Sequence, residues 1–237
     1  MNKKAALIAS ALLLTSYSAS ADVLGVYVGG QVWELSADGA FGEKNDLQNY
    51  DFSDDTEYRF YIALEHPIPL IPNVKLVRNK LNTEGVGAVE TDAFRVENVF
   101  SQVDLTYTDY TFYYEIFDND LVSIDLGITA KDFSGDFDSG LNIDDIDEAI
   151  PMAYASAQVG LPFTGLSLIA EGNFLAIDDS NFTEYQIGIA YELIDNMLID
   201  VNLQAGYRRV DLELDDVDDV YSDINFDGLF AGVEIHF

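Results

Sequence analysis

The stretch MLIDVNLQAGYR, Met197 to Arg208, alternates apolar with polar or small residues from Ile199 to its end. Met197, Ile199, Val201, Leu203, Ala205 and Tyr207 share one face, and Asp200, Asn202, Gln204, Gly206 and Arg208 share the other. A period of two residues belongs to a β-strand, whose successive side chains point to opposite faces. EYRFYIALE (Glu57–Glu65), LVSIDLGIT (Leu121–Thr129) and YQIGIAYEL (Tyr185–Leu193) repeat the pattern. No helical period of useful length competes with it, so the chain reads as all-β.

Ten segments carry alternation or turn signals: Val23–Leu35, Thr56–His66, Asn73–Leu81, Phe100–Phe117, Leu121–Lys131, Met152–Leu161, Leu166–Ile177, Thr183–Leu193, Met197–Val210 and Ile224–Phe237. The third alternates poorly. The fourth switches parity, with Val103, Leu105 and Tyr107 odd but Tyr110, Phe112, Tyr114 and Ile116 even; this predicts a bulge near Thr108–Asp109. Short connections (Pro67–Pro72, Asp118–Asp120, Pro162–Gly165, Asp195–Asn196) alternate with mostly long acidic ones (Ser36–Asp55, Asn82–Asn98, Ser134–Ile150, Asp178–Asn181, Asp211–Asp223). The latter hold 25 of the 43 acidic residues. Tight turns at one end and long loops at the other, along an even-stranded meander, are the layout of outer-membrane barrels. The expected fold is a transmembrane antiparallel up-and-down β-barrel of about ten strands, with eight as the alternative count.

The first residues fit that destination. Lys3 and Lys4 precede an apolar run from Ala5 to Leu14 and the small triplet Ala19-Ser20-Ala21. This is the three-part pattern of a secretory signal peptide, so residues 1–21 are expected to be removed and residues 22–237 to form the barrel. A membrane anchor would need an apolar run about twice as long. The formal charge of -32 repels nucleic acid, which excludes it as a partner. With no Cys, disulfides and thiolate chemistry are excluded too.

Which face meets lipid is the next question. The polar face is rich in Gly, Ser, Asn and Gln, and mixes Glu57, Asp104, Asp125, Glu171 and Asp200 with Arg59 and Arg208. Such a mixture suits a packed interior in which buried charges are paired, so these seven residues are the expected lumen network. Tyr58, Tyr107, Tyr114, Tyr191 and Tyr207 lie near the ends of apolar faces, as aromatic girdles do. A soluble periplasmic ligand-binding barrel, the alternative, would want its aromatics inside and more Lys outside.

The last strand, DINFDGLFAGVEIHF (Asp223–Phe237), matches a calcium-loop pattern at Asp223, Asn225, Asp227, Gly228 and Glu234. A strand holds Glu234 far from Asp223, whereas a calcium loop folds back between helices, so the strand reading is taken. The end of the chain resembles the C-terminal targeting signal of outer-membrane barrels through Gly232, Ile235 and Phe237, while Phe230 stands where a polar residue is usual. That resemblance implies recognition by the barrel-assembly machinery. The start of the mature chain, DVLGVYVGGQVWEL (Asp22–Leu35), resembles the first strand of a family of small gammaproteobacterial outer-membrane barrels of unknown function. The resemblance implies location and fold and assigns no catalytic residue.

Enzymatic chemistry finds little support in the sequence. An outer-membrane protease or phospholipase would need a His base, and His66 and His236 both fall at the turn end, away from the outer rim. The chain is therefore expected to be non-enzymatic, without a resident cofactor. Asp144, Asp145 and Asp147, and Asp215, Asp216, Asp218 and Asp219, are hard oxygen ligands that would hold Ca or Mg loosely. The expected partners are outer-membrane lipid and lipopolysaccharide, with the chain a monomer. At about ten strands the lumen is expected to be mostly filled, Tyr27, Trp33, Tyr61, Tyr113 and Tyr154 pointing inward; a narrow cation-preferring pore is the competing role.

Overall fold

The structure is a computed structural model and describes residues 24–43, 46–90, 95–119, 121–140, 142–177, 180–196, 198–217 and 220–237. The expected signal peptide, residues 1–21, lies outside the described residues. Among the described residues twelve antiparallel strands run in chain order: β1 (Gly25–Glu43), β2 (Asp46–Phe52), β3 (Asp55–Glu65), β4 (Asn73–Glu90), β5 (Arg95–Asp118), β6 (Val122–Asp138), β7 (Ile143–Ile146), β8 (Ala149–Leu161), β9 (Leu166–Ile177), β10 (Ser180–Asn196), β11 (Ile199–Val217) and β12 (Val220–His236). β2 and β3 both pair with β1, one above the other, and β7 and β8 both pair with β6, so twelve strands make ten staves. β1 pairs with β12, which closes the ring. Phe237 and Val26 exchange backbone hydrogen bonds of 3.0 and 3.3 Å at the seam.

The staves are far longer than a bilayer needs. β5 has 24 residues; at about 3.3 Å per residue and about 40° of tilt it rises about 60 Å, against an apolar band about 25 Å tall. The excess lies away from the chain termini and corrects the expectation of long acidic loops. Those segments are strand: β1 continues to Glu43, β4 to Glu90 and β6 to Asp138. The barrel therefore has two parts, a belt near the termini and a head beyond it.

Belt and head bury the same face of each strand but line it oppositely, polar residues pointing inward in the belt and apolar ones in the head. Along β11, Val201, Leu203, Ala205 and Tyr207 point outward and Asn202, Gln204 and Arg208 inward; one turn further, Val210, Leu212 and Leu214 are the buried residues and Glu213 is exposed. β5 does the same. Its register against β6 is unbroken from Gln102 to Glu115, so there is no bulge at Thr108–Asp109. Val103, Leu105 and Tyr107 are buried inside the head, whereas Tyr110, Phe112 and Tyr114 are exposed on the belt. The apolar residues change parity because the solvent outside changes from water to hydrocarbon while the backbone runs straight on. The register shift that β5 does make against β6 is lower, between Glu115 and Phe117. Tyr107, expected in an outer girdle, is thus an interior residue, while Tyr58, Tyr114 and Tyr191 are exposed.

The belt exposes Phe60, Ile62, Ile128, Leu168, Ile187 and Leu229 among others, Ile128 at 67 %. A continuous apolar ring of this kind is unsustainable in water and fits lipid. A closed antiparallel wall satisfies every backbone group internally, the condition for strands to cross hydrocarbon. The weakly alternating third segment is a stave because its inward residues are mixed, Lys75 and Asn79 beside Val77 and Leu81.

Candidate functional site

The lumen is layered. The head is filled by an apolar core in which Trp33, Tyr107, Phe133, Phe137, Phe182 and Phe226 are each almost fully buried. Phe133 packs edge-on against Phe182, with ring centroids 5.5 Å apart, and tilts against Tyr107 at 5.2 Å. Aromatic pairs at such separations add to the area they bury. The inside of the head is thus solid side chain.

Below the core lies a plate of charge. Lys131, 0 % exposed, places its Nζ 2.6 Å from Asp109 and 2.7 Å from Glu184. Arg208 donates to Glu184 at 2.5 Å, to Asn79 at 2.8 Å and to the Tyr107 hydroxyl at 3.0 Å, its guanidinium 4.5 Å from the Trp33 ring centroid. One step down, Glu171 accepts from both Arg59 and Lys75 at 2.8 Å. Arg59 also donates to Gln31, which donates to Gln204 at 3.0 Å. Buried charges survive only when matched in this way.

Two glycines make room for the polar step. A Cβ on Gly29 would lie 2.0 Å from the Tyr61 ring, and one on Gly232 would lie 2.6 Å from the Gln31 side chain. Gly29 lets Tyr61 lie across its strand and donate to Glu234 at 2.7 Å. Gly232 therefore has a local packing reason, apart from the expected assembly signal that it shares with Ile235 and Phe237.

Beneath the plate, the lumen opens at the turn end as a polar cup of about 670 Å3, lined in part by Tyr61, Glu65, Tyr113, Glu115, Asp125 and Glu234. Both histidines lie at this end: His236 stacks on Tyr27 with ring centroids 4.1 Å apart, and His66 ends β3 beside the Pro67–Pro72 turn.

Of the expected lumen network, the structure joins Arg59 to Glu171 directly. Arg208 sits in the plate, Glu57 is buried opposite Trp33, Asp125 accepts from Ser156, and Asp200 lies 3.2 Å from His236. Asp104 departs from expectation. It lies on the even, outward face of β5 opposite Asp136, because the head turns its acidic side to water. Lys75, Asp109, Lys131 and Glu184 were missing from the expected network. Asp109 was hidden by the inferred parity slip, and Lys131 by its place at the end of a predicted strand; Glu184 shares the face of Gln186 and was readable.

The outer face of the head is an acidic collar. Asp136 has its carboxyl raised above the ordinary value by burial and then by the Asp104, Asp145 and Asp138 charges. Burial, with the Asp138 charge, pushes the Tyr50 hydroxyl up to about 12. Asp144 and Asp145 lie on β7 opposite Phe137 and Asp136, and Asp147 follows it. Asp215 pairs with Tyr221 near a tip, with Asp216 at the register shift beside it, and Asp218 and Asp219 lie outside the described residues. Among the described residues no group of three His, Cys, Asp or Glu is placed to hold a metal ion. The calcium-loop pattern is pulled apart: Asn225 accepts from Arg209 at 2.8 Å and Asp227 from Tyr207 at 2.7 Å, while Glu234 faces the lumen.

No family model matches the chain, and no curated protein matches it. Among solved structures it is similar to the outer membrane protease OmpT of Escherichia coli, with a TM-score of 0.57 and 9% identity over 90% of this chain and 96% of that one. The translocator domain of autotransporter NalP from Neisseria meningitidis gives a TM-score of 0.46 at 12% identity, over 98% and 95% of the two chains. Neisserial surface protein A gives 0.34 at 16%, over 91% and 100%. The likeness to OmpT establishes the fold, a β-barrel of the outer-membrane type. The closed wall, apolar belt and fold together place the chain in the outer membrane.

Proposed function

We propose that this protein is a non-conducting, non-enzymatic barrel that acts through its acidic head, by surface interaction and in support of envelope integrity. The observation that carries the reading is the filled head, with Trp33, Tyr107, Phe133, Phe137 and Phe226 stacked above the Lys131 and Arg208 plate. A lumen closed by matched charge and then by apolar core favours a presenting role over the narrow cation-preferring pore. The apolar belt weighs against the soluble ligand-binding barrel. The start of the mature chain supports kinship with the small gammaproteobacterial barrels of unknown function, and its last residues support handling by the barrel-assembly machinery.

The collar carboxylates would be neutralised by divalent cations shared with the phosphates of lipopolysaccharide, which gives the head its tie to the outer leaflet. The purified barrel, reconstituted with lipopolysaccharide and Mg2+, is expected to melt at a lower temperature after chelation with excess EDTA. An unchanged melt would count against cation bridging.

A further inference from the structure

Three carboxylates of the deeper lumen meet cations: Glu171 has Arg59 and Lys75, Glu184 has Lys131 and Arg208, and Asp109 has Lys131. Glu65, Glu115, Asp125 and Glu234, on the cup wall, have no such ion pair among the described residues. Glu65 accepts from the Tyr113 hydroxyl at 2.8 Å, Glu234 from Tyr61 at 2.7 Å and Asp125 from Ser156 at 2.5 Å. Glu115 accepts from the Asn73 amide at 3.4 Å and lies against Glu65, with no cation beside it among the described residues. Neutral donors leave the negative charge in place, and low-dielectric walls focus it.

A second observation asks for the same complement. Gln186, 7 % exposed and on the cup wall, has a carbonyl oxygen with no hydrogen-bond partner, its amide nitrogen donating to Glu171 at 3.4 Å. One Asp125 oxygen is orphaned too. Buried acceptors of this kind normally have a donor. Charge and hydrogen-bonding inventory both call for a cation that carries N–H groups.

Lys75 demonstrates how the site holds one. Its ammonium lies 2.8 Å from Glu171 and 5.0 and 5.9 Å from the ring centroids of Tyr61 and Tyr154, an alkylammonium set between a carboxylate and aromatic faces. Tyrosine and carboxylate recur together as Tyr113 with Glu65 and Tyr61 with Glu234. The acids do not converge on a metal-sized point among the described residues. Spaced acids suit several ammonium groups on one flexible chain. We propose that the cup binds a linear aliphatic polyamine from the turn end, the periplasmic end in barrels of this layout, its ammonium groups on Glu65, Glu115, Asp125 and Glu234 and its methylenes against the tyrosine rings. A volume of about 670 Å3 is of the size that small-molecule sites have.

The test is calorimetric titration of spermidine into the purified barrel in uncharged detergent, at about 150 mM salt, where the Debye length is about 8 Å. Saturable binding near one equivalent is expected, persisting in equimolar Mg2+. Asp125→Asn and Glu234→Gln should each weaken it at least tenfold, while Glu213→Gln, which removes the same charge from the head, leaves the affinity alone. Heat-modifiable migration on gels reports that each variant is folded, and should one cup variant fail to fold, the other decides. In the unsubstituted protein, absence of saturable binding, or its abolition by equimolar Mg2+, would overturn the proposal. So would an equal loss in Glu213→Gln, since diffuse attraction to an acidic protein would explain it.

Discussion

Lys131→Met removes the ammonium from the centre of the plate and keeps an unbranched side chain in the space. Glu184 retains Arg208 at 2.5 Å. Asp109 loses its one ion-pair partner and keeps only a 3.4 Å contact with the Asn79 amide. The variant therefore holds one buried carboxylate without a cation, a change that costs about 3–5 kcal/mol. At about 1.4 kcal/mol per decade the folding equilibrium drops by a factor on the order of 10²–10³ or more. Reversible denaturant unfolding of the reconstituted barrel measures this as a shift in midpoint at constant slope. Adding Asp109→Leu to Lys131→Met should recover most of the loss, because removing both partners of a buried pair is often close to neutral. A loss below about 1 kcal/mol for Lys131→Met, or no recovery in the double variant, would show that water reaches the plate and refute the reasoning.

Two further outcomes follow from the head. Phe226→Ala opens a void in its apolar core and should cost about 3–5 kcal/mol by the same unfolding assay, even though the residue lies beyond the lipid belt; a negligible effect would mean that the head is not packed. The raised Asp136 carboxyl means that the folded head takes up a proton more readily than the unfolded chain. Its ionised form destabilises the fold at neutral pH, and that penalty is relieved as the pH falls through the folded-state value. Without divalent cations, the melting temperature should rise as the pH is lowered from neutral toward the ordinary carboxylate value of about 4, and rise less in Asp136→Asn.

Much of the belt was legible because lipid outside and polar residues inside impose a clean two-residue period, as in Val201, Leu203, Ala205 and Tyr207. The head carried the same period with the faces exchanged. In VDLELDD, Val210, Leu212 and Leu214 are apolar and buried, but the acidic residues between them read as a loop. On β5 the exchange of faces imitated a bulge and hid Asp109 on the wrong side. The plate could not be read at all as a set of partners. Lys131 meets Asp109 and Glu184 across separations of 22 and 53 residues, and such pairing is fixed by ring closure and register.

Conductance of the purified protein in a planar bilayer tests the filled lumen most directly. With Trp33, Tyr107, Phe133 and Phe226 packed above a matched plate of charge, the record should stay silent under applied voltage. Steady, cation-selective steps would mean that ions pass through the head, and would contradict the account.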